Sequence, residues 1–138
     1  MSDGLQVDAG NVPAGPIDSI LTSVKKNLNI PEEITVYDPD IAMHINSCFA
    51  KLNQMGVGPK ETFMIEDKTS EWDDFTTNQD LAMVKSYIYL EVRLMFDPPT
   101  ASVLSSLEKK ISELEWRLNV AGDELLYGTD QNGTDIED

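Results

Sequence analysis

The sequence holds one cysteine and one histidine in 138 residues. A lone Cys48 excludes an intrachain disulfide, and with His44 as the single imidazole no ligand set for a zinc site can be assembled. Basic residues are also scarce. Ten Lys and Arg stand against 25 Asp and Glu, giving a formal net charge of −15. Autonomous binding to DNA, RNA or an anionic membrane surface needs a concentrated basic patch, which this balance argues against. No run of 18 apolar residues occurs, so no transmembrane helix is expected. Met1 to Gly15 contains two acids, no base and no apolar core, which fits neither a secretory signal nor a transit peptide. The shortage of cysteine suits a reducing, intracellular setting.

What is present is enough apolar side chain, 41% of the chain, for one packed domain. The acid is unevenly placed. From Asn119 to Asp138 there are six carboxylates and no base, with Gly122, Gly128 and Gly133 interspersed. Composition therefore predicts a disordered N-terminal arm over 1–15, a helical domain over 16–119 and a flexible acidic tail over 120–138.

Within the middle, apolar residues recur at helical spacing four times. Ile17, Ile20, Leu21, Val24 and Leu28 predict a first helix from Pro16 to Leu28, closed by Asn29 and Pro31. Asp38-Pro39-Asp40 reads as the capped start of a second, with Ile41, Ile45, Cys48, Phe49 and Leu52 as its buried stripe and Gly56 or Gly58 as its stop. A third, from Gln79 to Phe96 with Asn78 as cap, carries two stripes: Leu81, Val84, Ile88, Val92 and Met95, and Met83, Tyr87, Leu90 and Leu94. Two stripes mean either a central helix or one buried against its own domain on one side and a neighbouring subunit on the other. Asp97-Pro98-Pro99 ends it, with Asp97 and Pro98 reading as the cap and first residue of a fourth helix. That helix bears the seam Leu104, Leu107, Ile111, Leu114 and Leu118, which wants one partner helix. Trp116 and Arg117 lie off the seam, and the periodicity does not say what Trp116 packs against. Phe63-Met64-Ile65 reads as an extended segment, one arm of a small hairpin. Trp72 and Phe75, three apart, fit one side of a short helical turn that pins an acidic loop. The fold expected is all-α, a small bundle of about four helices with a loop or short β-hairpin between the second and third.

Chemistry is hard to find. His44 reads as a structural histidine, and Cys48 as a buried small hydrophobe. Glu71, Asp73 and Asp74 form an acidic loop with nothing to enforce oxygen ligation of a metal, and Asp130 to Asp135 lacks the glutamate that closes a calcium loop. There is no P-loop and no GxGxxG. No catalytic residue, cofactor site or metal site is expected, and the residues argue for assembly or binding rather than catalysis.

Four stretches together carry a family likeness: His44 to Pro59 (HINSCFAKLNQMGVGP), Thr69 to Phe75 (TSEWDDF), Val84 to Pro99 (VKSYIYLEVRLMFDPP) and Leu114 to Leu118 (LEWRL). Over about residues 17–119 the chain resembles the head-tail connector (adaptor) proteins of tailed bacteriophages and prophages. The resemblance implies a non-enzymatic homo-oligomer, a ring of twelve subunits in the virion neck, present in the host cytoplasm before assembly. It implies docking on the portal protein above and a head-completion or stopper protein below, with packaged DNA only passing through the channel and no membrane partner. The structural residues it implies are Trp72, Phe75, the turn of Phe96, Asp97, Pro98 and Pro99, and Trp116, Arg117 and Leu118; Tyr87, Leu90 and Leu94 are interface candidates from the second stripe of the third helix. The other reading of the residues is a non-viral helical adaptor or regulator that binds one protein partner through the fourth helix.

The charge balance generates a first test. The isolated protein should show no measurable binding to duplex DNA at physiological salt in a fluorescence anisotropy titration. Micromolar binding that weakens steeply with added salt would overturn the charge reading.

Overall fold

The computed structural model describes residues 18–133, with side chains described as far as Asp123. The expected arm over 1–15, and Ile17, lie outside the described residues. Five helices occur among those described: α1 (Ile20–Asn27), α2 (Asp38–Gln54), α3 (Trp72–Phe75), α4 (Leu81–Phe96) and α5 (Ala101–Gly133). The all-α expectation stands, but about four helices becomes five, and no β-strand is present among the described residues.

The start of α1 is capped by Ser19, whose Oγ accepts the Thr22 N–H at 3.2 Å. It ends in a Schellman motif: Asn29 takes φ 63°, its N–H bonds the Lys26 carbonyl, and the Ile30 N–H bonds that of Lys25. The same motif closes α2. Gly56 at φ 85° bonds Asn53, and Val57 bonds Leu52, so Gly56 rather than Gly58 is the stop. The start of α2 differs from expectation. Tyr37 occupies the cap position without a side-chain bond, and Asp38 is the first helical residue. The Asp38 carboxylate is held elsewhere, 2.8 Å from Lys25 Nζ.

The expected hairpin is absent because the extended segment has a side chain for a neighbour. Asn46 on α2 accepts the Ile65 N–H at 2.8 Å and donates to the Ile65 carbonyl at 2.9 Å. One amide thus satisfies both polar groups of the buried residue, and no second strand is required. The only strand-like pairing described is a single antiparallel bridge, Ser19 with Glu71. It leads directly into α3, where Asp74 accepts the Glu71 N–H at 2.8 Å.

Helix α4 packs between α2 and α5. It begins at Leu81 rather than Gln79, with Asp80 and not Asn78 in the cap position; the Asn78 side chain instead accepts the Asp80 N–H at 2.8 Å in the turn before the helix. Val84, Ile88 and Val92 of the first stripe are buried, as is Tyr87 of the second, whereas Leu90 and Leu94 are half-buried. Helix α5 does not begin at Pro98. Pro99 drives its predecessor out of the helical region, so the helix waits until Ala101, with the Thr100 carbonyl accepting the Leu104 N–H at 2.7 Å. Leu107, Ile111, Leu114 and Leu118 are buried. They fill the seam against α4.

The helix then runs on to Gly133, past the boundary near 119 that composition suggested. Gly122, which composition assigned to a flexible tail, is a packing residue. A Cβ there would lie 1.9 Å from the Met55 carbonyl oxygen at the end of α2. On helix propensity alone Gly122→Ala should stabilise by about 1 kcal/mol. The backbone collision reverses the sign, and we expect a net loss of about 1–3 kcal/mol in urea unfolding. A gain in stability would show that α5 does not seat against α2 at this point.

Candidate assembly surfaces

The densest polar cluster described is internal and joins three helices. Lys51 of α2 reaches Glu91 of α4 at 2.7 Å. The Tyr87 hydroxyl lies 3.1 Å from both Glu91 and Glu115, the latter on α5. The hydroxyl has one proton and can donate it to one carboxylate at a time. Burial and the two negative charges push the Tyr87 phenol well above its ordinary range, so it remains a donor. The hydrogen bond to Glu91 raises the Lys51 ammonium, which stays charged. Burial, with Glu91 adding to it, pushes the Cys48 thiol up to about 12. Cys48 is therefore no nucleophile at neutral pH, and its stripe position on α2 with half-buried His44 is structural. Among the described residues no group of three or more His, Cys, Asp or Glu is placed to hold a metal ion.

The residues singled out by the sequence separate into two kinds. Trp72, Phe75 and Tyr87 are buried in the subunit. The Trp72 Nε1–H donates to Ser23 Oγ at 3.0 Å, tying α3 to α1. Phe75 stacks on Phe49 at 4.7 Å, against the underside of Gly58, which has no room for a Cβ there. Phe96 is half-buried, with the Tyr37 ring edge-on at 5.5 Å. Asp97 and Pro98 are exposed and Pro99 is half-buried, in the turn between α4 and α5.

Trp116 is 68% exposed. It lies on the face of α5 opposite the seam, with exposed Val120 one turn further on. Arg117 pairs with Glu113 at 3.2 Å on the same outer side. The seam itself is filled by α4, so it is not a free docking surface for another protein.

Two further surfaces escaped the sequence reading. An open groove between the end of α1, α4 and α5 is lined by Asn27, Ser86, Tyr89, Leu90 and Lys110, and Lys26 extends it along α1. The loop before α2 presents Ile34 and Val36, with Met43 exposed on α2 behind it. That loop is held from beneath by buried Lys25, whose Nζ donates to the carbonyls of Glu32 at 2.9 Å and Ile34 at 2.7 Å. Lys25 thus donates to two carbonyls and pairs its charge with the Asp38 carboxylate.

A family profile described as phage connector protein matches residues 20–125. The chain belongs to that family. The match spans α1 to most of α5, including the seam and the Gly122 contact. No curated protein and no solved structure matches the chain. As a family member it is a structural head-tail connector subunit of a tailed phage and not an enzyme. No described helix is long and apolar enough to cross a membrane. Its work as a connector is contact with other proteins.

The internal cluster ties α2, α4 and α5 together. Tyr87→Phe removes the donor between Glu91 and Glu115 and leaves the carboxylates facing each other. We expect a loss of about 1–3 kcal/mol in urea unfolding. A change below about 0.5 kcal/mol, the range of surface substitutions, would show that Lys51 alone holds the cluster.

Proposed function

We propose that this connector assembles as a closed ring, twelve copies in the virion, at the neck between head and tail. The ring docks on the portal protein, meets a head-completion or stopper protein below, and extends the channel through which packaged DNA passes. The observation that carries this reading is the family match across the folded unit, residues 20–125. The physical features agree with it. Each subunit closes its own core, so it can exist before assembly, yet it leaves apolar side chains outside that core, Trp116 and Val120 among them. We assign that outer face of α5, with the Asp97 to Pro99 turn that positions it, to contact with a neighbouring neck protein. A net charge of −15 per copy gives the channel a wall that repels phosphate on average and lets DNA slide through.

Native mass measurement and particle imaging of the full chain, with and without portal protein, test the proposal. Rings are expected in the presence of portal even where the free chain is monomeric. A strict monomer in both conditions would sink it.

A further inference from the structure

Two basic side chains, Lys26 and Lys110, line one groove, and two more share the Tyr89 face of α4 beside it. Lys85, Tyr89 and Arg93 are spaced one turn apart on one face of α4. Lys26 at the end of α1 and Lys110 on α5 wall the groove over Tyr89 and Leu90. Trp72 holds the Tyr89 ring edge-on at 6.1 Å, and Lys85 lies 5.6 Å from the centre of the Trp72 ring. Among the described residues, Lys26, Lys85, Arg93 and Lys110 have no ion-pair partner, while Lys25, Lys51, Lys68 and Arg117 each have one. In so acidic a chain, a basic group left unpaired around an apolar floor is a surface shaped for something acidic and apolar.

The same chain carries such a surface. Ile34, Val36 and Met43 are 42%, 74% and 60% exposed. Glu33 and Asp40 stand exposed among them. The two surfaces share no residue and lie on different sides of α1. Lys25 reaches toward the loop, whereas Ser23, Lys26 and Asn27 turn to the groove. A cyclic ring of more than two copies needs this arrangement, because its interface joins two different patches rather than one patch to itself.

We infer that neighbouring copies meet head to tail, the groove of one around Tyr89 and Leu90 receiving the Glu33–Val36 loop and Met43 of the next. Lys26 and Lys110 face Glu33 and Asp40 across the contact, and the aliphatic side chains fill the floor. This rests on the ring reading above and names the surfaces that close it.

Cysteine cross-linking of the full chain under ring-forming conditions tests the pairing. The native Cys48 is buried and silent in the unmodified control. Val36→Cys and Lys110→Cys proteins are prepared separately, then mixed and oxidised or treated with a short bismaleimide. Covalent dimers are expected in the mixture and not in either protein alone. Rings by native mass without mixed dimers would overturn the pairing and leave the ring standing. Dimers in a single-variant sample would also overturn it, since they indicate like-to-like contact. A strictly monomeric parent, with or without portal, removes both the ring and the pairing. A charge exchange gives an independent readout. Lys26→Glu with Lys110→Glu should lower ring yield about tenfold by placing like charges together, and adding Glu33→Lys and Asp40→Lys should recover most of it. Unchanged yield in the first double variant would refute the contact.

Discussion

The structure depends on the burial of α4 from two sides. Sixteen residues with two apolar stripes cannot sit on the surface of a domain this size. Helix α2 covers one side and the α5 seam covers another, and α1 rests on what is left. The polar cluster sits where these helices converge. Lys51, Glu91, Tyr87 and Glu115 come from α2, α4 and α5, and each burial is acceptable only because the others are there. Removing one member would leave a carboxylate facing apolar surroundings, which is costly. Register is therefore fixed at one point by directed bonds and elsewhere by packing.

Segments outside the helices are held by single side chains. Asn46 takes the part of a missing strand for Ile65, and Lys25 gathers the carbonyls of the loop after α1. Both sit on helices, so the loops inherit the rigidity of the bundle. That has a consequence for assembly. The loop bearing Ile34 and Val36 is apolar and outward-facing, yet its backbone is tied down by buried Lys25. A loop held in place before contact has less conformational entropy to lose on binding. The Tyr89 side of the groove is fixed in the same way, by Trp72, which is itself bonded to Ser23.

Much of this was legible in the sequence, because apolar spacing reports helix faces directly. The seam, the α2 stripe, the Trp72–Phe75 turn and the stop near Gly56 all follow from local pattern and backbone preference. The family likeness also came from residues alone, and the profile match bears it out. Three of the errors share one cause: they concern long-range partners. Phe63-Met64-Ile65 has strand-like composition, but whether it pairs with a strand or with Asn46, 19 residues earlier, is not a local property. Asp38 is a good cap by type, yet Lys25 claims its carboxylate. Gly122 resembles a flexible residue until the end of α2 is placed against it. The Pro98 start was readable and misread, since Pro99 already restricts its predecessor. The groove left no signal because its lysines come from separate helices.

Net charge and local charge make opposite demands on a ring. Copies carrying −15 each repel one another at a distance, and that repulsion is screened over about 10 Å at 0.1 M salt. Contact therefore requires a place where the sign reverses locally, over a distance shorter than the screening length. The ten bases could have been spread to neutralise the surface evenly, which would have weakened both repulsion and specificity. Instead four are spent on ion pairs within the subunit, and Lys26 and Lys110 line one groove with Lys85 and Arg93 on the helix face beside it. In the proposed pairing, contacts of acid against acid are penalised, so the chain's excess acid would help to exclude alternative registers. In the ring proposed above, the same excess would keep phosphate away from the channel wall. In the proposed ring, one composition thus serves two requirements, a single permitted neighbour and a passage that does not bind its cargo.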